Sequence, residues 1–255
     1  MASVNKRKIR EQREFSVVKA NELIQNSRFD LSMQEQKVIL YLISRIKPED
    51  NDIKKQTFNI KEFCQICGIN DHNGKNYADM KKAIQNLHDK SLWIQVDEKT
   101  EILFSWISSA AVIKDDGIVD IYLNEAMKPY LLQLRERFTQ YELIYTLGMK
   151  SQYSIRIYEL LKSYENMHRK IFAIDDLKKM LMCEKESYSN FNNFKTYVLD
   201  IAMREINALT DISVEYETEK KGKKITQIEF IIKSKKEITE RLKAFSEIEK
   251  ILDGN

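Results

Sequence analysis

One order of elements runs through this chain twice, and a repeat of that kind limits the folds open to it more than any motif does. The first pass opens at LSMQEQKVILYLISRI. Ser32 and Glu35 have the spacing of a capping box, in which each side chain satisfies the other residue's free backbone N–H. Val38, Ile39, Leu42, Ile43 and Ile46 then make one apolar helical face. Pro48 breaks this helix, and an extended piece around Phe58 leads to a short helix from Ile60 to Cys67, ended by Gly68. A polar loop containing Gly74 precedes NYADMKKAIQNLHDK, where Tyr77, Met80, Ile84 and Leu87 fall on one stripe. The period then changes to two. SLWIQV and ILFSWISSAAVI read as strands around a tight turn at Glu98 to Thr100, and Asp116-Gly117 turns the chain into IVDIYL, so that Leu92 to Leu123 form a three-strand meander.

The second pass repeats this order. SQYSIRIYELLKSY is an amphipathic helix, IFAIDDLKKML a short one and FNNFKTYVLDIAMREINAL a long one; ISVEYE and ITQIEFIIK are strands around the turn KKGKK. Apolar positions keep an offset of 114, so that Phe58, Ile60, Phe63, Tyr77, Met80, Ile84 and Leu87 correspond to Phe172, Ile174, Leu177, Phe191, Phe194, Val198 and Ile201. With a small shift, Ile94 and Val96 correspond to Ile212 and Val214. Helix, short helix, longer helix, hairpin is the winged-helix variant of helix-turn-helix, whose third helix can enter a major groove while the wing lies beside it. The expected fold is therefore α+β: two tandem winged-helix domains related by internal duplication. A basic N-terminal tail covers 1–14, an N-terminal domain 15–135, a C-terminal domain 136–235 and a C-terminal helix 236–255. In that last helix Ile238, Leu242, Phe245, Ile248 and Leu252 make an apolar stripe suited to packing on its own domain or, alternatively, to contact with a second chain.

Composition narrows the functions. Two prolines and six glycines in 255 residues mean long elements and few loops, and 43% hydrophobic with 32% charged residues means a globular chain. No apolar run approaches the roughly 18 residues that span a bilayer, and MASVNKRKIREQREF lacks the apolar stretch of a secretory signal. The expected location is cytoplasmic. Cys64, Cys67 and Cys183 are too few and odd in number for a disulfide framework. Cys64 and Cys67 form a lone CxxC near His72, but zinc needs four ligands and no second pair exists, so both read as packing residues. His72, His88 and His168 are isolated, unlike the His-x-His of metal-dependent nicking enzymes, and no glycine-rich phosphate cradle is present. Asp115-Asp116 and Asp175-Asp176 read as a turn and a helix start. The chain reads as a binding protein without cofactor or metal, and not as an enzyme.

Net charge is only +3, so its distribution matters more than its size. Positive charge gathers in KRKIR, in Lys75, Lys81 and Lys82, and in EKKGKK from Glu219 to Lys224. At about 100° per residue, the outward positions of the first unit's third helix are Ala78, Asp79, Lys82, Gln85 and Asn86. Those of the second are Asn192, Asn193, Thr196, Asp200 and Met203, flanked by Lys195, Tyr197 and Arg204. Asn can pair with both adenine N6 and N7, and Thr can bond a base edge or touch a thymine methyl. Lys220, Lys221, Lys223 and Lys224 suit phosphate contacts from a wing tip. These residues, with Lys75, Lys81, Lys82 and Gln85, are the candidate DNA-binding set. The first wing tip, Asp97-Glu98-Lys99-Thr100, is not basic, which makes the first unit the weaker reader. Its strand ILFSWISSAAVI offers an edge to a second chain. Polar helix faces and hairpin lysines also serve solubility. A winged-helix transcription regulator and a scaffold that binds only proteins therefore stay open as alternatives.

VVKANELI from Val17, LSMQEQKVILYLIS from Leu31, FTQYELIYTLGMKSQYSIRIYELLKSY from Phe138, FKTYVLDIAMREIN and TDISVEYE resemble theta-type plasmid replication initiators, the iteron-binding Rep family, over about residues 15 to 235. The resemblance implies two winged-helix domains on origin repeats, with the C-terminal one giving most of the sequence-specific contact. It also implies monomers on iterons, dimers that repress their own gene, and recruitment of host replication initiation and helicase-loading proteins. The family often carries further basic residues after the Lys195 position, where this chain has Thr196 and Tyr197.

Overall fold

The computed structural model describes residues 6–69, 75–113 and 116–253; the loop with His72 and Gly74, and Asp115 of the second turn, lie outside them. Ahead of the first repeat come α1 (Lys6–Arg13), β1 (Ser16–Ala20), α2 (Asn21–Gln25) and β2 (Ser27–Arg28). The first unit continues with α3 (Met33–Ser44), β3 (Gln56–Asn59), α4 (Ile60–Ile66), α5 (Lys75–Asp89), β4 (Ser91–Gln95), β5 (Glu101–Ser105), β6 (Ile107–Ile113), β7 (Ile118–Leu123) and α6 (Lys128–Leu131). Next come β8 (Phe138–Glu142) and α7 (Ile144–Leu147), and the second repeat opens with α8 (Gln152–Lys162), β9 (Arg169–Ala173) and α9 (Ile174–Met180). Its third helix consists of α10 (Phe191–Phe194), a π turn over Lys195–Leu199 and α11 (Asp200–Leu209). The wing strands β10 (Ile212–Lys221) and β11 (Lys224–Ser234) and the helix α12 (Ile238–Asp253) complete the chain.

The repeated winged-helix order is present, and its caps form as the residues dictate. Ser32 accepts from the Glu35 N–H while Glu35 accepts from the Ser32 N–H at 2.9 Å, closing the capping box of α3. Glu35 also receives the Asn86 amide at 2.6 Å and the Lys90 ammonium at 2.7 Å, tying the first helix of this unit to its third. Gly68 ends α4 in the left-handed region (φ 64°), where only glycine is unstrained; a Cβ there would also stand 2.5 Å from the Leu252 Cα.

Four expectations need correction. The meander from Leu92 to Leu123 is two hairpins in two sheets, ordered β2-β4-β5 and β3-β7-β6. The long strand breaks at Trp106, which is buried and meets Phe29 edge-on at 4.9 Å, so the ladder cannot run through it. The match of Ile94 and Val96 to Ile212 and Val214 is displaced by two residues. Leu92 and Ile94 are the buried pair, whereas Val96 is 55% exposed. A shift of two preserves alternation, so periodicity cannot detect it. The basic N-terminal segment is a helix docked on α4 and α12 rather than a tail: Arg13 is buried and donates to the Ile66 and Gln65 carbonyls, and Arg10 pairs with Glu249 at 2.7 Å. Finally, α12 packs on α7 and α11 through Phe245 and Ile248, but Ile238 and Leu242 of the expected stripe stay exposed, and the helix also reaches across to Gly68 and Arg13 of the first unit through Leu252 and Asp253.

The core is one cluster running from Val17 to Leu252, without a seam between the units. Strand β1 pairs with β8 in an antiparallel ladder, and α8 packs on both α3 and α11. Between them lies a buried ionic network. Glu159 on α8 takes the Lys19 ammonium from β1 and the Tyr141 hydroxyl from β8, the latter at 2.5 Å. Burial pulls the Lys19 ammonium down against the opposing pull of Glu159. Arg156, one helical turn earlier, donates to the Ser27 carbonyl at 2.8 Å and lies over the Phe29 ring. Cys64, Cys67 and Cys183 are buried and unbridged, and burial pushes the Cys67 thiol up to about 12.

Candidate nucleic-acid interface

The second unit's third helix starts on Asn190, whose side chain accepts from the Asn192 N–H at 2.9 Å, as an N-cap asparagine should. Phe191, Phe194 and Val198 turn inward, with Phe194 and Val198 fully buried. The π turn then inserts an extra residue into the helical path. Leu199 and Met203 consequently swing into the core, and the apolar stripe continues through Ala202, Ile206 and Leu209. Placing residues at about 100° intervals therefore fails beyond Lys195: Met203, expected outward, is 9% exposed, and Ile201, expected in the core, is only half-buried.

The outer face is then Asn192, Thr196, Tyr197, Asp200 and Arg204, all exposed, with Asn193 and Lys195 half-buried beside them. Tyr197 is 60% exposed, unusual for so large a ring. Among the described residues nothing pairs with the Asn192 side-chain amide or the Thr196 hydroxyl, both exposed. The Asn193 amide is engaged, donating to the Ser187 carbonyl at 2.9 Å. Lys195 reaches both oxygens of Asp200 at 2.8 and 2.7 Å, and Tyr216 from β10 donates to the same carboxylate at 3.1 Å. The carboxylate holds the Lys195 ammonium above its ordinary range.

The wing stands beside this face. Strands β10 and β11 pair out to Lys221 and Lys224, leaving a two-residue turn of Gly222 and Lys223. Gly222 supplies the positive φ (64°) that a type II′ hairpin needs at its first loop residue. Lys220, Lys221, Lys223 and Lys224 are all exposed at the tip, and among the described residues only Lys224 forms an ion pair, with Asp175 at 3.3 Å. The wing is bound to the helix by Asn207, whose amide exchanges two hydrogen bonds with the Val214 backbone at 2.9 and 2.6 Å.

Between wing tip, α9 and the start of the third helix lies an open groove of about 960 Å³. Lys178, Lys179, Lys185, Lys220, Lys223 and Lys224 line it, against Asp175 and Glu184. Lys178, Lys179 and Lys185 were not among the sequence candidates. The available signal was position: they flank the turn between α9 and the third helix. Lys178 is partly committed, donating to the Tyr188 carbonyl at 2.6 Å.

In the first unit, Lys82 and Gln85 are exposed on α5, as expected, and so is Lys81, while Lys75 begins that helix with its side chain outside the described residues. Asn86, expected outward, turns back to Glu35. The first wing tip stays acidic, and Trp93 (41% exposed) and Leu103 (51% exposed) face each other across β4 and β5 on its outer side.

Family models for the initiator replication protein WH1 domain and the initiator Rep protein WH2 domain match residues 16–162 and 173–232. A replication initiation protein of Escherichia coli is 29% identical over 211 residues, 79% of this chain and 65% of that protein. The PI protein of Escherichia coli is 32% identical over 145 residues, 50% of this chain and 47% of that one. The chain thus spans less than two thirds of either relative. The crystal structure of Pi initiator protein in complex with iteron DNA superposes with a TM-score of 0.71 at 20% identity, covering 88% of this chain and 99% of that one. It has the same fold.

Proposed function

Because the chain belongs to the initiator replication protein family, with two winged-helix domains, we propose that it is a sequence-specific double-stranded-DNA-binding initiator of plasmid replication acting on origin repeats. The observation that carries this reading is the second unit's outer face. Asn192, Thr196 and Tyr197 stand on a helix held rigidly to a lysine-tipped wing. Such a surface offers base-edge donors and phosphate contacts at once. The solved relative bound to iteron DNA supports the same choice of ligand. On this reading Asn192, Asn193, Lys195, Thr196, Tyr197 and Arg204 work at the major groove. Lys220, Lys221, Lys223 and Lys224 hold phosphates, and Lys75, Lys81, Lys82 and Gln85 make the weaker contact of the first unit.

The proposed division is 1–14, 15–135, 136–235 and 236–255, with the cut ahead of β8 because α8 holds in the second unit the place α3 holds in the first. The proposed partners besides DNA are a second copy, for repression of its own gene, and host replication initiation and helicase-loading proteins. The exposed Trp93–Leu103 pair and the edge strand β6 in the first unit support self-association there. The proposed location is the cytoplasm; among the described residues no helix is long and apolar enough to cross a membrane. The proposed mechanism uses no bound metal or nucleotide. Footprinting on the DNA adjoining its gene, with a chelator present, tests the whole reading: protected direct repeats are expected, and loss of protection on chelation or the absence of any protected repeat contradicts it.

A further inference from the structure

The π turn gives the reading helix a feature that a regular helix could not provide. Lys195 and Asp200, five residues apart, meet across it in a two-bond ion pair, and the wing tyrosine Tyr216 donates to the same carboxylate. Thr196 and Tyr197, adjacent in sequence, are both left exposed. The pair stands at the surface, with 45% and 44% of the two side chains accessible, between the candidate base contacts and the wing. Alone, Lys195 would grip any phosphate, since that attraction carries no sequence information. Alone, Asp200 would repel every duplex. Together they are neutral, and a phosphate gains Lys195 only by separating it from a carboxylate that Tyr216 keeps in place.

We propose that Asp200 is a specificity-determining residue, which withholds the Lys195 ammonium from the phosphates of arbitrary duplex and is itself positioned by Tyr216. Specificity is a difference between two affinities, and weakening the wrong complex raises it as surely as strengthening the right one. Base contacts from Asn192 and Thr196 do not depend on Lys195 being free, so the restraint falls mainly on random DNA. The inference rests on the DNA-reading role proposed above.

The test uses the full chain and two labelled duplexes: one that the parent protein selects from a randomised pool, and a scrambled duplex of the same composition. Affinities are measured across a salt series for the parent, Asp200→Asn, Tyr216→Phe, Lys195→Met and the double variant Lys195→Met/Asp200→Asn. Freeing one lysine for phosphate should steepen the dependence of log affinity on log salt by about 0.9. Asp200→Asn should therefore steepen it on scrambled duplex and lower the selected-to-scrambled ratio, with Tyr216→Phe moving the same way by less. In the Lys195→Met background, Asp200→Asn should leave the slope unchanged. An unchanged slope and ratio in Asp200→Asn overturns the inference alone. So does equal steepening without Lys195, which would mean bare repulsion by the carboxylate. Should Asp200→Asn melt early, Tyr216→Phe, which removes one oxygen, decides by the same criterion. A parent that selects no duplex overturns the DNA-reading role and this inference together.

Discussion

The two units fasten their third helices in opposite directions. In the first, α5 is tied back to α3, with Asn86 and Lys90 both on the capping carboxylate Glu35. In the second, the third helix is tied forward to the wing, through Asn207 to Val214 and through Asp200 to Tyr216. Their wings differ in the same sense. The first is short, acidic at its tip and apolar on its outer side at Trp93 and Leu103; the second is a long hairpin ending in four lysines. A duplicated fold has thus separated into a half whose third helix is tied to its own core and a half whose third helix is hydrogen-bonded to its wing. On the DNA-binding reading proposed above, such coupling is what a sequence reader needs, because a contact set must be presented in one geometry to discriminate.

The largest expected effect lies where the two halves meet. Glu159→Ala leaves the Lys19 ammonium buried without its carboxylate and the Tyr141 hydroxyl without its acceptor. Removing one partner of a buried pair typically costs about 3–5 kcal/mol. Urea denaturation should show that loss in a single transition, since the core is continuous. Two separate transitions would break the view of one body. Glu101→Ala, by contrast, removes only the exposed pair with Arg28 on the first wing and should cost less than about 1 kcal/mol.

Glu35→Gln comes next, because it weakens hydrogen bonds to charged groups that are worth about 1.5–3 kcal/mol. Burial opposes ionisation of Glu35, but the hydrogen bonds from Lys90, Asn86 and the Ser32 N–H outweigh it and hold the carboxyl below its ordinary range. A carboxylate lowered in the folded state stabilises above its unfolded pKa, about 4.3, and loses that contribution as pH falls through the folded value. The parent's advantage over Glu35→Gln should therefore be full at neutral pH and fade on acidification below about 4.3. An advantage independent of pH would show that the carboxylate acts only as a neutral cap. DNA affinity should follow the second unit and stay unchanged.

Much of this architecture is legible in the chain, and the failures lie where local spacing does not decide. The capping box at Ser32, the left-handed stop at Gly68 and the stripe from Met80 to Leu87 depend on neighbours within a few residues, and all three form. The repeat itself is legible because Phe58 and Phe172, or Met80 and Phe194, fill equivalent core places. Periodicity fails where a distant partner or an irregular turn of the helix overrides it. Trp106 leaves its strand to pack on Phe29, and Leu199 and Met203 enter the core because the π turn shifts the helix by a residue. The Lys195–Asp200–Tyr216 cluster was hidden for the same reason: five-residue spacing is not a helical neighbour until the turn makes it one. The docking of α1 and α12 onto each other's units depends on Arg10 meeting Glu249, a pairing no local pattern announces.

The comparison sharpens at single base contacts. Asn192→Ala should cost about 1–3 kcal/mol on the selected duplex and relax preference at one position. Its side chain is exposed, and its backbone is already fixed by Asn190. Gln85→Ala, at an outward position of the first unit's third helix, should stay within about 0.5 kcal/mol. Equal losses at both would mean that the halves read DNA alike.

The smallest effects belong to the wing tips, where each residue holds at most one phosphate. Lys220, Lys221 and Lys223 are exposed and have room to release one counterion each, so every single change to alanine should lower the salt slope by about 0.9. The loss should be the same on selected and scrambled duplex, because phosphate contacts fix position without reading sequence. Lys224 should respond less, since Asp175 at 3.3 Å already shares its charge and must be displaced first. Lys99, alone among acidic neighbours at the first tip with its backbone N–H held by Asp97 at 2.8 Å, should leave the slope where it was. Binding isotherms over a salt series on both duplexes measure all five variants in one experiment. A slope change at Lys99 equal to that at Lys221 would place both wings on the backbone and remove the asymmetry between the units. A change at Lys221 confined to the selected duplex would instead make that lysine a base reader.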